Sequence, residues 1–219
     1  FPALSAAGAW SLREAMLATR VRCDAIAASA SAPSSMLSIL ASRDRVESLI
    51  TRDDSEVWLS AVNGPEQIVV GGLTDAVRRF QQRCQQENLK TRLLDVPRAF
   101  HTRLMSDTCE FLARGLAQRD IHPAAIPLIS SVTARFVSDP DDIRQGLVRQ
   151  MTVPVLYEQL IRRLYELGVR VFLEVGPSSV LTQLTQRILA AAPDVFLTSI
   201  DHRSRSGHEQ FARFQAMLE

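Results

Sequence analysis

Two side chains in this sequence combine reactive chemistry with an apolar setting. His101 follows the apolar residues Ala99 and Phe100, and an imidazole that titrates near neutral pH can act as a general base. Arg22 lies in a helical pattern whose residues, three and four apart, share one largely apolar face: Leu12, Ala15, Thr19, Arg22 and Ile26. A guanidinium removed from water requires an anionic partner, and its planar fork matches a carboxylate. The sequence therefore predicts a base and a carboxylate-binding cation, with a structural histidine and a structural ion pair to Asp or Glu as the alternatives.

Other polar residues provide a comparison for these two. Arg20 lies on a different helix face, where it can pair with Asp24 four residues later, so we expect it at the surface. The remaining histidines occur in polar segments and are expected to be solvated; they are His122, His202 and His208. Gln150 lies near a predicted helix end, four residues before Pro154, where it can either cap backbone carbonyls or face a bound group.

Helical and strand patterns alternate along the chain, which is typical of an α/β protein with a mostly parallel sheet. The helical patterns cover residues 1–7, 12–28, 43–50, 74–87, 103–117, 141–149, 155–167, 180–191 and 207–218. Gly8 is expected to end the first helix in a left-handed conformation, and Ser11 to cap the second. The strand patterns cover residues 36–40, 57–63, 67–71, 92–96, 126–132, 169–174 and 196–200. A turn at 63–66 predicts a hairpin, and the order of elements from 36 to 96 is that of a ferredoxin-like split βαβ unit entered through a hinge at 28–35. Gly176 is expected to allow a close backbone approach before a helix opened by Pro177.

The composition limits the remaining possibilities. With 219 residues, 46% of them hydrophobic, the chain can bury one sizeable core. Its formal net charge of +1 gives no electrostatic reason to expect a nucleic acid or an anionic membrane as partner. The three cysteines, Cys23, Cys84 and Cys109, fit no zinc spacing and suit a reducing compartment, so we expect a cytoplasmic protein. No apolar run approaches the roughly 20 residues of a membrane span.

Three short segments, taken in order, carry a resemblance to a known family. The first runs from Asn63 to Gly72, the second is Ala99-Phe100-His101-Thr102, and the third runs from Glu174 to Thr182. Together they resemble the malonyl/acyl-CoA:acyl-carrier-protein transacylases, most closely the acyltransferase domains of type I polyketide synthases. The resemblance implies an α/β-hydrolase-like large subdomain, formed by residues 1–33 and 98–219, with an inserted ferredoxin-like βαββαβ small subdomain at 34–97.

The resemblance also implies roles for individual residues. His101 would be the general base for a nucleophilic serine, and Arg22, in the helix capped by Ser11, would bind the free carboxylate of a malonyl group. Gln150 would lie close to the acyl group. Phe100 would be the residue type found in family members that prefer malonyl over α-methylated units. We expect a backbone carbonyl, rather than an acidic side chain, to hold the tautomer of the base.

Several positions depart from the family pattern. Cys23 and Ile26 replace the usual Gly and Met that follow Arg22, which alters packing beside the predicted clamp. Thr102 replaces the usual Ser after the base and keeps the hydroxyl, and Gly71 replaces a common Ser. The family's Gly-x-Ser-x-Gly nucleophile motif is absent from the 219 residues. We therefore expect the serine on a missing N-terminal segment of the same domain, packed against residues 1–8.

The function implied by the resemblance is transfer of a malonyl group from malonyl-CoA, through a serine ester, to the phosphopantetheine thiol of an acyl carrier protein in polyketide or fatty acid synthesis. It implies no metal or redox cofactor, since coenzyme A enters as a thioester substrate and the phosphopantetheine belongs to the carrier protein. Neighbouring synthase domains are further expected partners. The alternatives are a non-catalytic docking domain of the same type and an acyl hydrolase, which would have no need of Arg22 if its acyl group were neutral.

Overall fold

The computed structural model describes residues 1–30, 32–53, 56–201 and 205–218. These residues form two compact units, of which the first runs from Phe1 to Tyr157 and the second begins at Glu158. His202 lies outside the described residues, as does Ser31 in the predicted hinge. In the described ranges, no helix is long and apolar enough to cross a membrane.

Two helices open the first unit. Helix α1 (Pro2–Ala6) is followed by Gly8, whose φ of +74° is a left-handed conformation that glycine adopts without strain. Helix α2 (Leu12–Ala27) begins after Ser11, whose hydroxyl accepts a hydrogen bond from the N–H of Glu14 over 3.2 Å. Both boundaries lie where local chemistry predicted them.

The buried side of α2 is formed by three small residues, Ala15, Ala18 and Ala25. The expectation that Leu12 and Thr19 share this side is wrong, since Leu12 is 67% exposed and Thr19 is also exposed. The error arose because spacings of three and four fit two neighbouring faces of a helix equally well, and alanines mark the face that packs closely. Arg20 and Asp24 form the expected surface pair, at 3.8 Å.

A four-stranded antiparallel sheet follows these helices. Its strands are β1 (Ser34–Leu40), β2 (Val57–Gly64), β3 (Gln67–Leu73) and β4 (Lys90–Leu93), arranged in the order β2-β3-β1-β4. Helix α3 (Arg43–Asp53) follows β1 and helix α4 (Thr74–Gln86) follows β3, so the element order is the predicted βαββαβ. Gly64 pairs with Gln67 across the predicted hairpin. The expectation of a mostly parallel sheet is wrong for this unit, because each of these strand pairings is antiparallel.

The two faces of this sheet have different neighbours. One face packs against α3 and α4 through a core that includes Leu37, Ile39, Leu49, Val70 and Phe80. The other face presents Met36, Ala61 and Val69, which pack against the buried Ala99. Because Ala99 is two residues before His101, this second face supports the segment that carries the predicted base.

The rest of the first unit is helical or irregular. A short 3-10 helix (Arg103–Met105) leads into α5 (Ser106–Ala117), and α6 (Pro140–Arg149) comes after a long irregular segment. The predicted strand over 126–132 is wrong, since that segment forms only an isolated bridge from Ile129 to Phe136. An alternating apolar pattern needs a neighbouring strand to form a ladder, and the part of the chain that the structure describes offers none here.

Helix α7 (Tyr157–Glu166) begins at the unit boundary, and the second unit continues with β5 (Val171–Glu174), α8 (Val180–Ile188), β6 (Phe196–Ser199) and α9 (Gly207–Leu218). Strands β5 and β6 are parallel, with Val171 opposite Phe196. Pro177 does not open α8, and a Cβ added at Gly176 would meet nothing within 4 Å, so both expectations for that pair were wrong. Instead, the carboxylate of Glu174 caps the helix.

Candidate active site

The segment that carries His101 is a tight turn seated on the sheet. His101 has a φ of +61°, a left-handed conformation that is unfavourable for a residue with a Cβ and must be held by its surroundings. The N–H of Ala99 donates to Ser34 Oγ over 3.0 Å, and Thr102 Oγ1 donates to the carbonyl of Ala99 over 2.6 Å. Ser60 Oγ donates to the carbonyl of Phe100 over 2.8 Å. These bonds tie the turn to strands β1 and β2.

The imidazole of His101 is oriented by a backbone carbonyl. Its Nδ1 lies 2.7 Å from the carbonyl oxygen of Gln150, and because a carbonyl only accepts, Nδ1 must carry the proton. The neutral ring then has its lone pair on Nε2. That atom forms no hydrogen bond within the part of the chain that the structure describes. The expected carbonyl partner of the base is thus present, and Nε2 is available to accept a proton.

The surroundings of His101 favour the neutral ring. Burial lowers the pKa of His101 below its usual value, and the positive charge of Arg22 lowers it further, while the hydrogen bond to the Gln150 carbonyl opposes the shift. The net direction is downward, so at neutral pH the imidazole is mostly in its neutral form, with a proton on Nδ1 and none on Nε2. A general base must be unprotonated to accept a proton, and this environment supplies that form.

Strand β2 also positions the partner of the base. The carbonyl of Ser60 accepts a hydrogen bond from the N–H of Val155, and the N–H of Val62 donates to the carbonyl of Val155. Ser60 therefore anchors the His101 turn through its side chain and the chain after Gln150 through its backbone. One strand thereby fixes both sides of the hydrogen bond that orients the imidazole.

Arg22 is close enough to His101 for its charge to act on the pKa of the ring. The Nε atom of Arg22 is buried and has no hydrogen-bond partner, and the guanidinium forms no ion pair with a described residue. Its carbon Cζ lies 5.9 Å from the centre of the Phe1 ring. Burial lowers the pKa of this arginine, although a guanidinium stays charged at any physiological pH. The structural ion pair considered from the sequence does not occur among the described residues, and a partly buried cation without an anionic partner there is left.

Gln150 contributes through its backbone as well as through its side chain. Its backbone carbonyl accepts from His101, and its side-chain Nε2 donates to Ser131 Oγ over 3.1 Å. It also lines a cleft of about 140 Å³ in the first unit, together with Phe1, Leu4 and Ile129. The carbonyl could not be found from sequence, because every residue has one. Ser60 could have been noticed, since it is a polar residue inside the apolar run of β2.

Phe100 is partly buried and packs against two clusters of buried residues, one around helices α2 and α5 and one on the sheet face beneath Ala99. Phe100 therefore precedes His101 directly in sequence and packs between these two clusters. Of the other histidines, His122 is largely exposed at 3.4 Å from Asp120, and His208 is exposed. Neither resembles His101 in burial or in its partners.

A neutral imidazole with a fixed Nδ1 and a free Nε2, near a partly buried guanidinium that has no anionic partner among the described residues, could accept a proton and hold an anionic group. Comparison with known proteins identifies the class of protein. The profile of the family described as "Acyl transferase domain" matches residues 1–218, and the chain belongs to that family.

Three relatives illustrate the similarity. The chain is 35% identical over 192 residues to the polyketide biosynthesis protein ThaF of Burkholderia thailandensis, an alignment that covers 86% of this chain and 16% of that protein. It is 32% identical over 194 residues to the malonyl CoA-acyl carrier protein transacylase of Bacillus subtilis, covering 86% of this chain and 61% of the transacylase. The acyltransferase domain from the second module of the salinomycin polyketide synthase superposes with a TM-score of 0.86 at 29% identity, covering 95% of this chain and 48% of that one. The chain thus spans only part of the length of these relatives.

Proposed function

We propose that these residues supply the base and the acyl-carboxylate clamp of an acyltransferase that moves a malonyl group from malonyl-CoA to the phosphopantetheine thiol of an acyl carrier protein. The observation that carries the proposal is the buried Nε of Arg22, which lacks a partner and whose charge reaches the base His101. A malonyl group is an acyl thioester with a free carboxylate, so one ligand satisfies both residues. No metal or redox cofactor is part of the proposal.

The nucleophile in this proposal is a serine outside residues 1–219, because the sequence contains no Gly-x-Ser-x-Gly motif. We propose that a serine-bearing segment of the same domain completes the site. The cleft lined by Phe1, Leu4 and Gln150 lies beside the carbonyl that orients His101, which supports placing that segment there.

His101 acts twice in the proposed reaction. Nε2 takes the proton of the serine hydroxyl as its oxygen attacks the thioester carbonyl, and the tetrahedral intermediate then expels the coenzyme A sulfur, which receives that proton. In the second half, Nε2 takes the proton of the pantetheine thiol as its sulfur attacks the ester, and the proton returns to the departing serine oxygen. Throughout, Nδ1–H remains bonded to the carbonyl of Gln150, which also stabilises the transient imidazolium.

In the proposed reaction, Arg22 selects acyl groups that carry a carboxylate. A bidentate or single charge-assisted bond to the malonyl carboxylate would give the buried Nε of the Arg22 guanidinium a partner. A hydrolase for neutral acyl groups would leave that group unpaired, which is unfavourable. Phe100 is proposed to limit the space beside the α-carbon of the acyl group, and the side chain of Gln150 to lie near the acyl group.

The larger context is also proposed. We infer a large α/β-hydrolase-like subdomain formed by residues 1–33 and 98–219 and a ferredoxin-like insertion at 34–97, supported by the strand order β2-β3-β1-β4. Neighbouring synthase domains and a cytoplasmic location complete the proposal. The free state of Cys23, Cys84 and Cys109 is consistent with that location.

The experiment uses the domain that contains these residues together with its serine-bearing segment, and compares malonyl-CoA with acetyl-CoA as donors to a carrier protein. We expect Arg22→Ala to reduce kcat/KM for malonyl transfer by about 30- to 1000-fold, which corresponds to about 2–4 kcal/mol, while sparing acetyl transfer. Arg20→Ala is the matched control, because Arg20 lies on the same helix but is paired at the surface. Equal losses for both donors would show that Arg22 supports the fold instead. Release of free malonate without carrier loading would identify a hydrolase.

A further inference from the structure

The turn that carries His101 lies unusually close to strand β3 at Gly71. A Cβ added at Gly71 would lie 3.0 Å from the Cβ of Ala99 and 3.0 Å from Cγ2 of Thr102, which is tighter than ordinary packing allows. Gly71 has no positive φ among the described backbone angles, so its conformation is open to any residue. Glycine is needed at this position for space and not for backbone freedom.

Thr102 cannot yield that space by rotating. Its side chain is buried, with 1% of the residue exposed, and its Oγ1 donates to the carbonyl of Ala99 over 2.6 Å. Rotation about the Cα–Cβ bond would move Cγ2 away from Gly71 only by breaking this bond and burying a hydroxyl without a partner. The Cβ of Ala99 has no rotamer at all. A side chain at position 71 would therefore force the backbone of the turn to move.

The same turn includes His101, whose left-handed φ of +61° leaves little freedom for adjustment. A shift of Ala99 and Thr102 by a few tenths of an ångström carries the imidazole with it. The Nδ1–H of His101 would then separate from the carbonyl of Gln150, because Gln150 has a contact outside the turn: its own N–H donates to the carbonyl of Gly146 in α6. The orienting hydrogen bond is the contact most exposed to such a shift.

We propose that Gly71 and Thr102 are a matched pair that seats the base, in which the missing side chain of Gly71 makes room for the methyl group of Thr102. Gly71 is thus a positioning residue that acts on His101 through the turn. The effect on catalysis rests on the proposed role of His101 as general base, whereas the effect on the imidazole itself does not.

The test compares Gly71→Ala, Thr102→Ser and the double variant with the native protein. Thr102→Ser removes the methyl group and keeps the hydroxyl that bonds to Ala99, so we expect it alone to have a small effect. Gly71→Ala should lower kcat about 10- to 100-fold with little change in KM, because it displaces the base and leaves Arg22 in place. The double variant should recover part of the lost rate, since loss of the Thr102 methyl group removes one of the two 3.0 Å contacts and leaves the contact with the Cβ of Ala99. Gly207→Ala is the control, because a Cβ there meets nothing within 4 Å.

A spectroscopic measurement decides the matter even without activity. In protein labelled with ¹⁵N-histidine and held above the ordinary histidine pKa of about 6.5, the native His101 should show the Nδ1–H tautomer. Its signals are assigned by their loss in His101→Gln. Gly71→Ala should shift the population toward the Nε2–H tautomer, and the double variant should shift it part of the way back toward Nδ1–H.

The inference is overturned if Gly71→Ala leaves the tautomer of His101 unchanged, whatever happens to thermal stability. It is also overturned if adding Thr102→Ser to Gly71→Ala brings no recovery of the Nδ1–H tautomer. If the native protein transfers no malonyl group at all, the proposed function fails, but the tautomer measurement still tests whether Gly71 and Thr102 seat His101.

Discussion

The Nδ1 atom of His101 and the backbone carbonyl of Gln150 are 2.7 Å apart, although 49 residues separate them in the chain. A carbonyl has no charge to gain or lose, so it fixes the tautomer of the ring without titrating itself. An aspartate in the same place would raise the pKa of the imidazole by its charge. With a neutral orienting group, burial and the nearby Arg22 determine the direction of the shift, and the pKa of His101 falls.

The pH dependence of transfer follows from this arrangement. Because the pKa of His101 lies below the ordinary histidine value of about 6.5, more than half of the imidazole is still neutral when the pH reaches that value. We expect the acid limb of kcat/KM to have its midpoint below pH 6.5. His101→Ala should lower the rate about 100-fold or more and abolish this acid limb, with the circular dichroism spectrum unchanged. His122→Ala is the matched control, since His122 is largely exposed.

Stability should depend on pH for the same reason. The unfolded chain protonates His101 near its ordinary pKa, whereas the folded protein resists protonation until a lower pH, so the unfolded state binds more protons in that interval. The free energy of unfolding contributed by this residue is therefore fully present above about pH 6.5 and is lost as the pH falls through the folded pKa. Denaturant unfolding at several pH values gives the free energy of unfolding as a function of pH. That free energy should depend less steeply on pH in His101→Gln than in the native protein. An acid limb with its midpoint at or above pH 6.5, or the same pH dependence of the free energy of unfolding in His101→Gln and the native protein, would contradict the lowered pKa.

Local chemistry made much of the fold predictable. The Ser11 cap, the left-handed Gly8 and the β2–β3 hairpin depend on neighbours in sequence, and each was found as expected. The predicted strand over 126–132 failed because ladder formation depends on a partner that the pattern does not encode. The prediction of the buried side of α2 was wrong because alanines carry a weak hydrophobic signal in the sequence. They nevertheless pack most closely, and Ala18 has no exposed surface.

The site was only partly predictable for a related reason. Side-chain chemistry drew attention to His101 and Arg22, and the structure places them within electrostatic reach of each other. The groups that hold the His101 turn and its ring are a carbonyl and two serine hydroxyls, and the turn packs where Gly71 has no side chain. Backbone atoms and missing atoms leave no chemical signature in a sequence, so only tertiary contacts could reveal them.

Glu174 should contribute measurably to the stability of α8. One of its carboxylate oxygens accepts from the N–H of Leu181 over 3.0 Å, and the other accepts from the N–H and the hydroxyl of Thr182, both over 2.7 Å. Helix N-termini leave such N–H groups unpaired and favour a negative charge. Glu174→Ala should lower the free energy of unfolding by about 1–2 kcal/mol and speed hydrogen exchange in α8.

A comparison of carboxylates separates the cap from a general charge effect. Glu110→Ala removes an exposed carboxylate from α5 and should change the free energy of unfolding by less than about 0.5 kcal/mol. Glu174→Gln keeps one acceptor oxygen and should fall between the native protein and Glu174→Ala. Unchanged exchange rates in α8 for Glu174→Ala would refute the capping role.

Phe100 should set the preference between malonyl and methylmalonyl donors. Its ring is partly buried between two packed clusters, and the carbonyl of the same residue is held by Ser60, so the ring cannot easily move aside. A packed pocket resists an added methyl group, but discrimination of one methyl by shape is limited to about 10- to 200-fold. We expect the native protein to prefer malonyl-CoA within that range. Phe100→Ser should narrow the preference, at some loss of overall rate because the turn loses packing.

Competition between the two coenzyme A thioesters in one reaction gives the ratio of their kcat/KM values directly, so a general loss of stability cancels. Phe111→Ser, on the exposed side of α5, removes the same side-chain volume away from the base and should leave the ratio unchanged. Phe100→Leu should retain most of the preference, since it keeps much of the apolar volume beside His101. A native preference for methylmalonyl-CoA, or an identical ratio in the native protein and Phe100→Ser, would mean that Phe100 supports the turn without selecting the acyl group.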